Sequence, residues 1–265
     1  MFRSRQPIVN RGRHWRLTAA RRLSRVVAAT LFPPRCCLCG FEGASLDLDL
    51  CGVCRDDLPW NTQPADGQWF AFRFEHPIDD LIRRLKYRGV LANARVLGVL
   101  LAQAVRAHAA PLPALLVPVP LHGARLRERG FNQAAAVARY CGRMLDIPAA
   151  RYAVRRVRDT PSQTALDLTE RHRNVRGAFA VHGPRARRRL LAAGHVAIVD
   201  DVVTTGSTVH ELRGVLLAAG VSKVDVWAVA QAPLRARTAG DQARPAFFNA
   251  ASGGPSNFSS DTLPT

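Results

Sequence analysis

Lysine is almost absent from this chain. Of 38 Lys and Arg residues only Lys86 and Lys223 are lysines, and the acids number 20. The formal net charge of +18 works against cationic partners and favours anionic ones: nucleic acid, phosphorylated metabolites or acidic lipid. Arginine suits phosphate because its planar fork binds two oxygens at once; arginine-rich codon usage would produce the same bias. Long apolar runs are missing as well, so no membrane-spanning helix is expected. Residues 1–35 carry arginines and no acid, but they lack a continuous apolar core followed by a small-residue cleavage site, so no secretory signal is expected. Aromatics that could stack on bases are sparse outside 69–74, which weakens a single-strand platform. There are only six cysteines, four of them in two C-x-x-C pairs. That pattern fits a metal site in a reducing compartment better than a disulfide scaffold, with the cytoplasm as the default location.

The organisation follows from periodicity. Residues 1–14 are basic and unpatterned, and 15–32 carries apolar residues at helical spacing, ended by Pro33 and Pro34. Such a basic helix packs on the body or touches membrane or DNA. Strands are expected at 68–75, 114–120, 151–158, 195–200 and 223–230. Helices are expected at 78–89, 91–109, 131–145 and 207–220. Residues 159–177 are polar and expected to be mobile. The Ala, Gly, Ser, Pro and Asn tail from 234 is expected to be disordered. Strand alternating with helix implies an α/β domain with a mostly parallel central sheet flanked by helices, and ligands beyond the carboxyl ends of its strands.

One such end is "VAIVDDVVTTGSTVHEL", 196–212. An apolar strand delivers Asp200 and Asp201, whose carboxylates accept hydrogen bonds from vicinal hydroxyls or hold a divalent cation. The turn that follows contains Gly206, which lets the backbone approach a ligand closely. Its amides, the start of the next helix, and the hydroxyls of Thr204, Thr205, Ser207 and Thr208 suit a phosphate monoester. A sugar clamp beside a phosphate cradle points to a 5-phosphorylated ribose. An ordinary strand-to-helix turn would need only one of these features.

A second pattern is C-x2-C, eleven residues, C-x2-C: Cys36, Cys39, Cys51 and Cys54. Four thiolates in a tetrahedron suit structural zinc, with no open position for catalysis. A redox pair or an iron–sulfur cluster remains open on spacing alone. Cys37 is out of step with the spacing, and Cys141 falls on an expected helix.

Val196 to Thr208 resembles the phosphoribosyl pyrophosphate (PRPP) motif of type I phosphoribosyltransferases. Together with "CCLCG…LCGVCRDDLPW", "LIRRLKYRG", "VPVPLHGARLRERGFNQ" and "DTPSQTALDLTERHRNVRGAF", it identifies the chain as similar to the ComF family, the competence protein F type of bacteria, over about 31–231. The resemblance implies a type I phosphoribosyltransferase-like fold carrying a small N-terminal four-cysteine zinc module. It implies a zinc-ribbon module over 31–62 and a phosphoribosyltransferase-like domain over 63–233; the basic tail and amphipathic helix over 1–30 and the disordered tail over 234–265 lie outside the resemblance and are expected from composition and pattern alone. It implies that Asp200 and Asp201 hold the ribose 2- and 3-hydroxyls, that Val203, Thr204, Thr205, Gly206, Ser207 and Thr208 hold the 5-phosphate, and that magnesium arrives with PRPP. The pyrophosphate loop would be Val119, Pro120 and Leu121. Lys86, Arg125, Arg129, Asn132, Gln133, Arg171 and Arg173 are the candidates for charge and polar contacts to the phosphates. Two functions follow. The chain uses a PRPP or ribose 5-phosphate site in DNA uptake and natural transformation, with single-stranded DNA contacted through arginines and the zinc module; or it is a magnesium-assisted phosphoribosyltransferase of nucleotide metabolism, whose acceptor the sequence does not specify.

Overall fold

The computed structural model describes residues 35–42, 48–61, 67–108, 111–159 and 174–233. The helix expected at 15–32, the tail from 234, and Arg171 and Arg173 lie outside these residues. Along the chain run α1 (Gly52–Asp56), β1 (Gln68–Arg73), α2 (Ile78–Arg88), α3 (Leu91–His108), β2 (Leu115–Pro118), α4 (Gly123–Arg129), α5 (Gln133–Leu145), β3 (Val154–Arg156), β4 (Phe179–Val181), α6 (Gly183–Ala193), β5 (His195–Val203), α7 (Ser207–Ala218) and β6 (Lys223–Gln231). Among the described residues, no helix is long and apolar enough to cross a membrane.

The expected α/β architecture is present. Four strands form one sheet in the order β1-β6-β5-β2, all parallel. β3 and β4 pair antiparallel in a separate two-stranded ladder. A parallel sheet needs cover on both faces, which is why β2, β5 and β6 are almost continuously buried. Alternation divides the strands between two apolar layers. Ala197, Val199, Trp227 and Val229 face α2, α3 and α5; Val196, Ile198, Val224 and Val226 face α6, α7 and the β3–β4 ladder. Cys36, Leu48, Leu50 and Leu58, from around the cysteine pairs, join the first layer.

β5 runs three residues further than expected. Its ladder with β6 continues through Asp200↔Ala228, Val202↔Ala230 and Val203↔Gln231. The acid pair is therefore part of a central strand rather than of the loop beyond it. α4, β4 and α6 had not been expected. The sequence of α6, GPRARRRLLAA, buries only Leu190 and is mostly arginine and alanine, so little apolar surface marks it. α4 buries no residue at all.

α3 and α5 cross so closely that a Cβ added to Gly98 would lie 2.7 Å from the Val137 carbonyl oxygen and 2.8 Å from the Tyr140 Cβ. In an isolated helix Gly98→Ala would stabilise by about 1 kcal/mol. Here the backbone of α5 stands in the way, and overpacking costs about 1–3 kcal/mol. We expect Gly98→Ala to destabilise the protein in urea unfolding. A variant as stable as the wild type would show that the two helices are not in tight contact.

Candidate functional site

β5 brings Asp200 and Asp201 to the carboxyl edge of the sheet, 9% and 3% exposed. Neighbouring residues of a strand point to opposite faces, yet the two side chains stay within hydrogen-bonding reach of each other. Asp200 lines a pocket with Val202, Val203, Thr204, Gly206, Ser207 and Thr208. Asp201 is engaged on the other side by the Lys86 ammonium at the end of α2, with Nζ to Oδ2 at 2.6 Å. The Asp201 amide donates to Asp200 Oδ1 at 2.9 Å and locks the pair together.

The turn after β5 depends on Gly206, whose φ of 76° lies in the left-handed region that side chains disfavour. α7 starts at Ser207, and its N-cap residue, Gly206, makes no side-chain cap bond. The Ser207 amide donates to Thr205 Oγ1 at 3.4 Å, and the two hydroxyls lie 2.8 Å apart. The helix dipole and these donors favour an anion at this turn.

The other expected site residues fall into two groups. Arg129 donates to Gln133 Oε1 at 2.9 Å, and the Gln133 side chain hydrogen-bonds Asp201. Arg129, Gln133, Lys86 and Asp201 thus form one polar chain. Arg125 acts electrostatically on Arg156. Asn132 and Val119 have structural bonds: Asn132 Nδ2 donates to the Val119 carbonyl at 2.9 Å, and the Val119 amide donates to the Val199 carbonyl. Asn132 also caps α5 by accepting from the Ala135 amide at 3.1 Å. Pro120 has no amide to offer. Leu121 is half-buried.

The Sγ atoms of Cys36, Cys39, Cys51 and Cys54 all lie within 4.8 Å of one another. The Cys54 amide donates to Cys51 Sγ at 3.4 Å as α1 begins. Burial opposes ionisation of Cys36, but backbone amides from Cys39, Cys51 and Leu38 lower its thiol to about 6. Burial and hydrogen bonds with the other thiols push Cys54 upward. Four sulfurs this close cannot all ionise without a cation, so the donor set fits a structural metal such as zinc. Cys37 lies outside the cluster, and burial raises its thiol to about 12. Cys141 sits on α5 in the core and is raised to the same value by burial.

No protein-family model matches the chain. Competence protein F of Haemophilus influenzae is 34% identical over 201 residues, covering 73% of this chain and 84% of that protein. DNA utilization protein YhgH of Escherichia coli is 33% identical over 219 residues, 81% of this chain and 89% of that protein. The chain belongs to the ComF family. Competence protein ComFC of Bacillus subtilis is a more distant relative, 27% identical over 176 residues, 63% of this chain and 67% of that one.

In this ComF-family chain the fold adds two residues that sequence reasoning did not single out. Arg156 of β3 is lowered by burial and by Arg125, while Asp159 and Asp200 act the other way; its guanidinium therefore stands within electrostatic reach of the acid pair. It lies 44 positions before Asp200 among many arginines, and only the tertiary fold brings the two together. Tyr87, 75% exposed, follows Lys86, with the Arg129 guanidinium 5.6 Å from its ring centre. An exposed aromatic beside the Lys86 position was the one available signal.

The two carboxylates differ electrostatically. Burial, and then the charge of Asp201, holds Asp200 well above the carboxylate range. Burial opposes ionisation of Asp201 too, but Lys86 overrides it and keeps Asp201 low. Burial likewise opposes the Lys86 charge, and Asp201 more than restores it. A carboxyl raised on folding contributes stability below its unfolded pKa, near 4, and loses it as pH rises through the folded value. We therefore expect Asp200→Asn to melt above the wild type at pH 8, with the gain disappearing towards pH 4. Lys86→Met leaves Asp201 unpaired in the interior and should cost on the order of 3 kcal/mol at neutral pH. Calorimetric melting from pH 4 to 8 checks both variants; an Asp200→Asn curve matching the wild type at pH 8 would contradict the burial of that charge.

Proposed function

We propose that this chain binds a 5-phosphorylated ribose, PRPP with magnesium, at the end of β5, and that it serves DNA uptake and use. The observation that carries the first part is the shared pocket of Asp200 and the 202–208 turn. Asp200 accepts from the ribose hydroxyls, and Asp201 supports it from the opposite face, held by Lys86 and Gln133. The turn amides and the hydroxyls of Thr204, Thr205, Ser207 and Thr208 take the 5-phosphate. Among the described residues, three or more metal-ligating side chains converge only at the cysteines, so magnesium would be held mainly by the ligand's own oxygens. When bound, it offsets charge on the pyrophosphate.

The second part comes from the relatives. Their names refer to competence and to DNA utilization, and the net charge of +18 suits a polyanion. The free thiols fit a reducing compartment, the cytoplasm. A transferase reading has its own support: Arg156 interacts electrostatically with Asp200 and with Arg125, and cations there would stabilise a departing pyrophosphate. Arg171 and Arg173 would add charge from the 160–173 segment.

Titration calorimetry with PRPP and magnesium tests the sugar-phosphate site. We expect binding by the wild type and a loss of at least tenfold in Asp200→Ala, since hydrogen bonds to a charged group contribute about 1.5–3 kcal/mol each. Equal affinity in the two proteins would remove Asp200 from the site. Pyrophosphate release with a panel of nucleobases separates binding from transfer.

We assign zinc to the four cysteines. Elemental analysis should find one zinc per chain, and a chelator should lower the melting temperature, because metal binding there is also folding free energy. Unchanged melting after complete zinc removal would contradict a structural role.

A further inference from the structure

The arginines of this chain are not spread evenly over its surface. Residues 151–159 and 174–193, which hold β3, β4 and α6, contain nine arginines and one acid, Asp159. The described residues of the cysteine module, 35–42 and 48–61, contain two arginines against Glu42, Asp49, Asp56 and Asp57. Four metal-bound thiolates would make that module more negative still. The two regions pack against opposite faces of the sheet.

β3, β4 and the start of α6 are neighbours. Val154, Phe179 and Leu190 share a single apolar cluster, and the His182 amide donates to the Ala153 carbonyl at 2.9 Å, joining the end of β4 to the start of β3. α6 projects Arg185, Arg187, Arg188 and Arg189 into solvent. This arrangement is unfavourable for the helix by itself. Arg185 lies near the positive end of the helix dipole, and Arg185 meets Arg188 and Arg189 at the spacings where like charges repel. α2 handles its arginines differently, pairing Arg83 with Asp79 and Arg84 with Asp80. A general preference for arginine would populate both helices; it does not explain why only one lacks acids. Concentrated positive charge of this kind matches a polyphosphate backbone. At the edge of the same surface Tyr152 is 65% exposed, with the Arg151 guanidinium 4.7 Å from its ring centre, a pairing on which an unpaired base can stack. The outward side of α6 offers only Leu191 as a large apolar group, too little for insertion into a bilayer.

We propose that α6 and the β3–β4 ladder form the surface that binds single-stranded nucleic acid, on the sheet face away from the cysteine cluster. This assignment rests on the reading of the chain as a DNA-handling protein. The metal module is then a structural clip rather than the nucleic-acid contact.

The test is fluorescence anisotropy of a labelled oligothymidylate over a salt series, with the full chain. Three variants are compared with the wild type: a quadruple change of Arg185, Arg187, Arg188 and Arg189 to Ser, Tyr152→Ala, and Arg55→Ser in the cysteine module. Circular dichroism and the affinity for ribose 5-phosphate serve as controls for folding. The quadruple variant is expected to bind roughly tenfold or more weakly, with the slope of log affinity against log salt reduced by about 2 to 3. Tyr152→Ala should weaken the oligonucleotide severalfold and leave duplex binding unchanged, and Arg55→Ser should match the wild type. A quadruple variant that binds like the wild type would overturn the surface while leaving the DNA reading intact elsewhere on the molecule. A wild type that binds no oligonucleotide at low salt would defeat the DNA reading itself. If Tyr152→Ala has no effect on either nucleic acid, or anionic vesicles compete as well as the oligonucleotide does, the single-strand assignment is wrong.

Discussion

Two carboxylates adjacent in one buried strand cannot both keep their charge without help. Asp200 and Asp201 lie on β5, at the centre of a sheet covered on both faces. A single ammonium, Lys86, reaches one of them at 2.6 Å. The rest of the site follows from that contact. It fixes the end of α2 against the end of β5, draws Gln133 and Arg129 into the same polar chain, and leaves Asp200 with an unfavourable charge facing the turn.

The arrangement has a geometric origin. Alternation along a strand sends residues 196, 198 and 200 towards α7 and residues 197, 199 and 201 towards α2 and α5. A pair of acids written side by side in the chain therefore has one member on the α7 side of the sheet and one on the α2 and α5 side. The same alternation divides the core into two layers, so one sheet joins the turn that precedes α7 to the cysteine module on its other side. The close α3–α5 crossing at Gly98 belongs to the layer beneath Asp201.

Charge is organised on a larger scale as well. Acids are concentrated around the cysteines and at the start of α2, where they neutralise arginines or would sit near a metal. On the opposite face, residues 151–159 and 174–193 carry nine arginines and one acid, with Glu211 of α7 bonded to the Gly177 amide beside them. The net charge of +18 does not show this uneven distribution among the described residues.

Much of the fold was legible in the sequence, because burial on both faces of a parallel sheet forces long apolar runs. β5 and β6 announced themselves in that way, and Gly206 with its hydroxyl neighbours marked the turn. The cysteine quartet was legible because two C-x-x-C pairs bring thiols together almost independently of what surrounds them, and their four sulfurs converge as expected. α4 and α6 were not legible: they bury one residue or none, and arginines occupy many of their remaining positions. The pairing of Lys86 with Asp201 and the approach of Arg156 to Asp200 were decided by tertiary structure alone. They join residues 115 and 44 positions apart, and a charge finds its partner by distance in space, which local sequence pattern does not encode.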